Sequence, residues 1–169
     1  KKVGLIGLGR IGRYLVSLLK PFNVKISLYD PYISDSVASE LDIELKDLDT
    51  ILMNSDVISI HAAKTKETEN MLNLDKLKLI KNGTALVNTA RASIIDEIAL
   101  IGELKKGRFK AALDVFWQEL LSPDNKLRKL PNVILTPHSI GATSQVRPEM
   151  TQMVINDLRA FLQGGGHFF

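Results

Sequence analysis

Three glycines near the start of the chain have the spacing of a phosphate-binding loop. Gly7, Gly9 and Gly12 follow a short apolar run, and a helical pattern begins immediately after them. In such a loop the first glycine permits a tight turn, the second lets the backbone approach a pyrophosphate, and the third lets the helix pack closely. Free N–H groups at the positive end of the helix would hold the pyrophosphate. The alternative is an ordinary glycine-rich turn between a strand and a helix.

An acidic residue at the end of the second apolar run supports a dinucleotide site. Asp30 lies eighteen residues after Gly12. At that distance its carboxylate can accept hydrogen bonds from both hydroxyls of an adenosine ribose. It would repel a 2′-phosphate, and Pro31 and Tyr32 follow it where an arginine would be needed to bind one. The sequence therefore favours NAD over NADP, and the alternative for Asp30 is a solvated acid in a turn before proline.

Further polar residues follow the later apolar runs. His61 follows the fourth run, Arg91 the fifth, Asp114 and Glu119 the sixth, and His138 the seventh. Ligands of an open parallel sheet bind outside the carboxyl ends of its strands, so these side chains are expected at one edge. A forked arginine suits a carboxylate, and an imidazole exchanges a proton near neutral pH. Taken singly, each residue also has an ordinary reading as a surface, structural or solvated group.

The elements that must position these residues alternate between apolar runs and helical patterns. This alternation predicts an α/β fold, a doubly wound parallel sheet (Rossmann) of about seven strands. The predicted strands are Val3–Ile6, Val24–Tyr29, Ile43–Leu45, Val57–Ile60, Thr84–Asn88, Ala111–Leu113 and Val133–Leu135. The predicted helices are Arg10–Lys20, Asp35–Leu41, Asp47–Asn54, Leu74–Ile80, Asp96–Lys106 and Ser144–Leu162. Asp96 is predicted to be the N-cap of its helix and Gly107 the C-cap.

Apolar residues at helical spacing predict which faces of the first and last helices are buried. One face of the first helix is predicted to carry Ile11, Leu15, Leu18 and Leu19. The stripe on the last helix is interpreted as core, with a partner-binding face as the alternative; its members are Val146, Met150, Met153, Val154, Leu158 and Phe161.

Composition and charge restrict the class of protein. The chain has 169 residues, of which 45% are hydrophobic and 24% charged, enough for one globular domain with its own core. Its net charge of +3 comes from scattered lysines and arginines, so nucleic acid is not an expected partner. No apolar run is long enough to span a membrane. The chain has no cysteine, which excludes disulfides and fits a cytoplasmic protein, and its histidines lack a metal-ligand spacing, so no metal is expected.

Several ordered motifs together resemble one enzyme family. They are the glycine loop, Tyr29-Asp30-Pro31, Ser55-Asp56-Val57 leading to His61, Val87-Asn88-Thr89-Ala90-Arg91, Asp96-Glu97, Ala112-Leu113-Asp114-Val115-Phe116, Asn132-Val133-Ile134-Leu135-Thr136-Pro137-His138 and Gly141-Ala142-Thr143. Over essentially the whole chain they resemble the NAD-binding domain of the D-isomer-specific 2-hydroxyacid dehydrogenases. The resemblance implies an oxidoreductase that transfers a hydride between NAD(H) and a D-2-hydroxy acid or 2-keto acid.

The resemblance also implies roles for individual residues. His138 would be the general acid/base at the substrate oxygen, Glu119 would pair with it and orient it, and Arg91 would bind the substrate carboxylate and carbonyl. Asp114 would lie near the nicotinamide carboxamide, and His61 would be a cofactor-side or structural residue. The implied cofactor contacts are Gly7, Gly9, Arg10, Ile11, Gly12, Asp30, His61, Thr89, Ala90, Asp114 and Gly141.

The chain departs from the family pattern at several places. Ala92 stands where glycine is usual, Leu120 where proline is usual, and Ala63-Lys64-Thr65 where Pro-Leu-Thr is usual. The loop Trp117-Gln118-Glu119 also lacks the usual acidic and proline residues, so its register is open.

The family's second, split substrate-binding domain has no counterpart in this sequence. Residues 1–169 are therefore expected to be the NAD-binding domain alone, which binds NAD but turns over 2-keto acids poorly. A homodimer is implied, because the family commonly dimerises through this domain. The alternatives are an NAD(H)-sensing or dimerisation module without catalysis, and a formate- or phosphite-type dehydrogenase of the same family.

Overall fold

The predicted alternation of strands and helices is confirmed by a computed structural model, which describes residues 1–141, 143–144 and 146–163. Ala142, the glycine run at 164–166 and His167 lie outside the described residues. The strands are β1 Lys2–Ile6, β2 Lys25–Tyr29, β3 Glu44–Leu45, β4 Val57–Ile60, β5 Ala85–Asn88, β6 Lys110–Leu113 and β7 Val133–Leu135. The helices are α1 Arg10–Leu19, α2 Asp35–Glu40, α3 Leu48–Asn54, α4 Leu74–Leu79, α5 Glu97–Lys105 and α6 Val146–Leu162.

The seven described strands form one parallel sheet in the order β3-β2-β1-β4-β5-β6-β7. Leu5 in β1 is in register with Leu28 on one side and with Ser59 on the other. The chain thus builds outward from β1 in one direction and then from β4 in the other. This reversal of strand order opens a crevice at the carboxyl ends of β1 and β4, where doubly wound sheets bind their ligands.

The buried apolar residues form two clusters, and β1 contributes to both. Val3 and Leu5 belong to one cluster, which also holds Leu28 and Val16, whereas Ile6 belongs to the other. Successive strand residues point to opposite faces of a sheet, so a strand buried on both faces reads as a continuous apolar run. This explains why β1 was recognisable from its sequence.

The predicted apolar face of α1 is partly wrong. The helix buries Gly12 and Val16, whereas Ile11 is 70% exposed and Leu18 is 51% exposed. At 100° per residue, Gly12 and Val16 lie on the same face of the helix. Ile11 and Leu18 are rotated from that face by roughly a third of a turn around the helix axis. A second apolar face therefore remains on the surface, made of Ile11, Tyr14 and Leu18 and continued by Phe22.

An ion-pair cluster holds the end of α5 against neighbouring loops. The carboxylate of Glu103 is 1% exposed and pairs with Lys106 at 2.6 Å and Arg108 at 3.0 Å. Arg108 also donates to the carbonyl oxygens of Ile80 at 2.8 Å and Leu77 at 3.3 Å. Burial alone would raise the pKa of Glu103, but the hydrogen bonds and charges of Lys106 and Arg108 outweigh it and lower that pKa.

The N-terminal end of α5 forms as the sequence predicts, whereas the C-cap is Lys106 and not the predicted Gly107, which comes one residue later. Asp96 caps the first turn by accepting from the backbone N–H of Ala99 at 2.8 Å. Gly107 follows the last turn with a φ of +70°, a left-handed conformation that glycine adopts at low cost.

The chain divides into two compact units, Lys1–Pro137 and His138–Phe169. The first contains β1–β7 and α1–α5, and the second contains α6. The prediction that the stripe on α6 is core is wrong, because Met150, Met153 and Val154 are 58–66% exposed. In the described part of this second unit, α6 is the sole regular element, so its apolar residues have no other element of that unit to pack on.

None of the helices in the described part of the chain combines the length and apolar character needed to cross a bilayer.

Candidate functional site

The glycine loop has the tight turn that the sequence predicts. Gly7 adopts a φ of +92°, and its N–H donates to the carbonyl of Tyr29 at 2.9 Å. A Cβ on Gly7 would lie 2.6 Å from the backbone nitrogen of Ala62. Leu8, the next residue, is 3% exposed and buries its side chain in the cluster of Val16 and Leu28. The loop is therefore fixed by both its backbone and an apolar side chain.

Gly9 and Gly12 differ in what surrounds them. A Cβ on Gly12 would lie 2.8 Å from the carbonyl oxygen of Gly7, so only glycine lets α1 approach the loop this closely. A Cβ on Gly9 would meet no heavy atom within 4 Å. Gly9 is also the N-cap of α1 and supplies no side-chain cap. The first N–H groups of α1, which include those of Arg10 and Ile11, therefore face an open space suited to an anion.

Asp30 lies beside this loop, as its spacing predicts. Its Oδ2 accepts from the backbone N–H of Leu8 at 2.8 Å, and its Oδ1 accepts from the N–H of Tyr32 at 3.0 Å. Each carboxylate oxygen has further lone pairs, so these bonds leave acceptor capacity for ribose hydroxyls. The bond to Leu8 crosses 22 residues and could not be read from the sequence.

A cavity of about 300 Å³ joins these parts of the site. Its lining includes Gly7, Gly9, Asp30 and His61, together with part of the segment that follows β4, namely Ala62, Ala63, Thr65, Glu67 and Thr68. A hydrogen bond stabilises the conformation of this segment: the hydroxyl of Thr68 accepts from the backbone N–H of Thr65 at 2.8 Å.

His61 ends β4 at the wall of the same cavity. Its Nε2 lies 2.9 Å from the hydroxyl of Ser59, and burial lowers the pKa of the imidazole. A neutral histidine paired with a neighbouring hydroxyl fits a wall of the cofactor cavity better than a proton-transferring group. The contact between His61 and Ser59 was not predicted from the sequence. It could have been expected, because side chains two residues apart along a strand point to the same side of the sheet.

The carboxyl end of β5 carries a turn that presents Arg91. Asn88 is 1% exposed; its side chain accepts from the N–H of Ala90 at 3.1 Å and donates to the carbonyl of Arg91 at 3.0 Å. Thr89 and Ala90 lie in this turn, and the Arg91 guanidinium is exposed, donating to the Ala90 carbonyl at 2.6 Å. The sequence analysis assigned no role to Asn88, although asparagine side chains commonly hydrogen-bond to the backbone of turns.

The carboxyl end of β6 carries two acids. Asp114 is 4% exposed and accepts from the Thr136 hydroxyl at 2.6 Å, which links the ends of β6 and β7. Glu119 is exposed, and its Oε1 accepts from the N–H of Phe116 at 3.2 Å. The loop therefore turns back on itself and keeps the Glu119 carboxylate near the end of β6.

His138 and Gly141 belong to the second unit. His138 directly follows Pro137, is exposed, and has a left-handed backbone with a φ of +51°. Gly141 is exposed as well, with open space where a Cβ would be. The pairing of His138 with Glu119 stays a prediction.

The described residues hold no group of three or more histidine, cysteine, aspartate or glutamate side chains that could bind a metal ion. The site is built instead from backbone N–H groups, one carboxylate beside them and a cavity at the edge of a parallel sheet. These features define an NAD-binding domain of the Rossmann type.

The family follows from comparison with known proteins. Residues 1–139 match the model of the D-isomer specific 2-hydroxyacid dehydrogenase NAD binding domain. The chain belongs to this family. It is 43% identical over 166 residues to a glyoxylate reductase of Thermofilum pendens, covering 97% of this chain and 49% of the relative. It is 38% identical to a D-3-phosphoglycerate dehydrogenase of Archaeoglobus fulgidus, covering 97% of this chain and 31% of that protein. The chain thus spans half or less of these relatives.

Two solved structures have the same fold as this chain. The NAD-complexed D-isomer specific 2-hydroxyacid dehydrogenase of Lactobacillus delbrueckii superposes with a TM-score of 0.86 at 31% identity, covering 99% of this chain and 55% of that one. The Granulicella formate dehydrogenase superposes with a TM-score of 0.87 at 28% identity, covering 98% and 45%.

Proposed function

We propose that this chain is the NAD-binding part of an enzyme that interconverts D-2-hydroxy acids and 2-keto acids. The observation that carries the proposal is the placement of Arg91 after β5 and Glu119 after β6, at the sheet edge where the glycine loop follows β1. A sensor of NAD needs the glycine loop and Asp30 but has no need of an exposed arginine at that edge. The glyoxylate reductase relative supports the same reaction class.

NAD would supply the hydride acceptor or donor for this reaction. The open N–H groups at the start of α1 would hold its pyrophosphate, and Asp30 its adenosine ribose. Arg91 would bind the substrate carboxylate through its forked donors. His138 would give a proton to the carbonyl oxygen as the hydroxy acid forms, and take it back in the reverse direction. Glu119 would orient that imidazole.

The substrate pocket itself would need residues beyond this domain. We propose that the rest of the relatives' length corresponds to a substrate domain, and that residues 1–169 alone bind NAD with little or no turnover. The chain covers 49% of the glyoxylate reductase, which supports this division of labour. Robust reduction of glyoxylate by the isolated 169 residues would refute it.

The test uses the full-length enzyme and the absorbance of NADH. A panel of glyoxylate, pyruvate and other 2-keto acids is compared with formate and phosphite, which are assayed with NAD⁺. We expect reduction of at least one 2-keto acid. His138→Asn should lower the turnover rate by about 10²–10⁴-fold, the usual contribution of a general acid/base, while the Kd for NADH stays within about twofold. Equal loss of both would refute the role of His138, and no activity on any acid would favour the sensor.

The proposal includes a homodimer. What supports it is the exposed apolar face of α1, where Ile11 and Tyr14 are at least 67% exposed, together with Phe22 just after the helix, which is 73% exposed. Contiguous apolar surface of this kind commonly marks a protein–protein contact. Light scattering coupled to gel filtration measures the mass directly, and a monomer at all accessible concentrations would contradict the dimer.

A further inference from the structure

A second hollow of about 300 Å³ lies at the opposite end of the sheet from the glycine loop. It is lined by the first residues of two strands, Lys2 of β1 and Lys25 of β2, and by parts of β3 and α3. The cofactor cavity, in contrast, lies at the carboxyl ends of the strands. No residue of this hollow has a role in NAD binding or in the proposed reaction.

The hollow exists because one face of β2 is polar. Parallel strands that are covered on both faces normally carry apolar residues on both. In β2, Ile26 and Leu28 are buried on one face, whereas Lys25 and Ser27 alternate with them and line the hollow on the other. Within the described part of the chain, no hydrogen bond engages the Ser27 hydroxyl, so this group is available to a ligand.

The helix α3 closes one side of the hollow. A Cβ on Gly4 would lie 2.6 Å from Cγ2 of Ile51, so α3 packs directly on β1 at this position. Lys2 lies two residues before Gly4 on the same strand and therefore points to the same side of the sheet. The Ile51 carbonyl near the end of α3 already accepts from the Ser55 hydroxyl at 2.7 Å, which reduces its repulsion of an anion.

Two lysines of the hollow stand side by side without an acidic partner. Lys2 and Lys25 are in register on adjacent strands, whose backbones lie about 4.8 Å apart. Neither ammonium forms an ion pair with another described residue. Like charges in directly opposite positions repel each other and destabilise the pairing. An anion bound between the two ammonium groups would offset this repulsion.

A third lysine adds to the positive charge. The ammonium of Lys46 lies 3.4 Å from the carboxylate of Glu44, and the two side chains are 43% and 67% exposed. Such an exposed pair contributes little free energy, so Lys46 can also contact a ligand. Asp56, which accepts from the backbone N–H of Lys2 at 3.0 Å, is already paired with the Lys81 ammonium. Three lysines and one glutamate therefore give the lining a net charge of +2.

We propose that this hollow binds a phosphate group, either free or as the monoester of a small molecule. A phosphate monoester has a charge of about −1.5 to −2 near neutral pH, which the lining complements. Lysine binds phosphate as a point charge, and the described lining has no arginine, whose fork suits a carboxylate.

Neutral donors and the size of the hollow fit the same ligand. The Ser27 hydroxyl can donate to a phosphate oxygen. The side-chain nitrogen of Asn54 donates to the Thr50 carbonyl at 2.9 Å and keeps a second N–H for a ligand. Small-molecule sites commonly have volumes of about 300–1,000 Å³, so this hollow suits a ligand at the small end of that range.

The test titrates inorganic phosphate into the ¹⁵N-labelled chain and follows the backbone amides by NMR. Phosphate replaces chloride at constant ionic strength, and saturating NAD⁺ keeps the probe out of the glycine loop. The amide signals of Ser27 and Asn54 should shift and saturate. Lys2→Met and Lys25→Met should each weaken binding by about two- to fivefold, the usual contribution of an exposed ion pair. Glu44→Gln should strengthen it by about two- to fivefold, because it removes the acid of the lining.

A matched control removes a lysine from the start of another strand. Lys110 begins β6 and is exposed, but it does not line the hollow, so Lys110→Met should bind phosphate like wild type. Equal affinities of Lys25→Met and Lys110→Met, or shifts that never saturate, would overturn the site. An unchanged Kd for NAD⁺ verifies that each variant is folded. If Lys25→Met does not fold, Lys2→Met and Glu44→Gln decide the outcome through their opposite effects.

Two further probes identify the ligand. Tighter binding of glycerol 3-phosphate than of inorganic phosphate would assign the site to a phosphate monoester, and equal binding would assign it to free phosphate; both results support the site. Malonate, a dicarboxylate of similar charge, should bind more weakly than either probe. Tighter binding of malonate would overturn the assignment to phosphate. The inference does not depend on the proposed reaction, and failure of either leaves the other standing.

Discussion

Gly9 is expected to matter for cofactor binding but not for folding. The variant Gly9→Ala tests this, because it should change the Kd for NADH and leave the free energy of unfolding nearly unchanged. The residue has a φ of −70° and a ψ of −166°, which alanine adopts without strain, and its Cβ would meet nothing within 4 Å. Alanine is a poorer N-cap than glycine by about 0.5–1 kcal/mol, but it reduces the conformational entropy of the unfolded chain, which stabilises the fold by about 0.4–1 kcal/mol. We therefore expect the free energy of unfolding to change by less than about 0.5 kcal/mol.

Cofactor binding should respond very differently. A pyrophosphate that accepts hydrogen bonds from the N–H groups at the start of α1 must come close to the Cα of Gly9, and a methyl group there would force it away. Losing one or two charge-assisted hydrogen bonds costs about 2–4 kcal/mol, or roughly 30- to 1,000-fold in Kd. Calorimetric titration with NADH gives the Kd, and urea unfolding gives the stability.

A second glycine provides the matched control. Gly102 lies inside α5, and a Cβ there would also meet nothing within 4 Å. Gly102→Ala should stabilise the fold by about 0.5–1 kcal/mol through helix propensity and leave the Kd for NADH unchanged. If Gly9→Ala binds NADH within about threefold of wild type, the pyrophosphate does not lie against Gly9 and the site has been misplaced.

Three other predictions concern stability. Gly7→Ala should lower it by about 2–5 kcal/mol, from the left-handed φ and the clash with backbone, which calorimetry would record as a Tm about 5–15 °C lower. Arg108→Met should cost about 2–3 kcal/mol in urea unfolding at pH 7, because it strips one of two partners from the buried Glu103 carboxylate. The hydrogen bond from Lys81 lowers the pKa of Asp56 to about 2, so the stability difference between wild type and Asp56→Asn should shrink as the pH falls from about 4 to 2.

Each of these has an outcome that contradicts it. Gly7→Ala with wild-type stability would show that the loop can adopt another path. For Arg108, the conservative Arg108→Lys should recover part of the loss at pH 7, and an unfolding energy equal to that of Arg108→Met would assign the effect to its carbonyl contacts. The sign for Asp56 follows from its lowered pKa: the folded state gains from the charged form above the unfolded pKa, near 4, and loses that gain in acid. A difference that stays constant down to pH 2 would exclude the coupling to Lys81.

The sheet and the glycine loop were predictable because their determinants are local. β1 is buried on both faces and reads as an apolar run, and the spacing of Gly7, Gly9 and Gly12 reflects one turn of backbone. Asp96 was recognisable as an N-cap for the same reason. What the sequence could not supply depends on contacts between distant segments.

The exposed faces show this limit most clearly. Ile11 and Leu18 have the same residue types and spacing as buried helix positions, and only the packing of Gly12 and Val16 decides which side faces the sheet. The burial of Glu103 could not be predicted either. Glu103 lies in a charged segment with Lys105 and Lys106, and its ion-pair partner Arg108 lies beyond the end of the helix. The link from Asp30 to Leu8 likewise exists only after β1 and β2 pair.

The anchoring of Leu8 has a consequence for the thermodynamics of cofactor binding. A flexible phosphate loop must lose conformational entropy when its ligand arrives, at about 1–2 kcal/mol for each residue that becomes ordered. In this chain the side chain of Leu8 is already buried, its N–H is already bonded to Asp30, and the preceding Gly7 is bonded to Tyr29. That ordering therefore takes place when the chain folds, so the loop is preorganised for the dinucleotide, and the amide protons of Gly7 and Leu8 should exchange slowly with solvent even in the free protein.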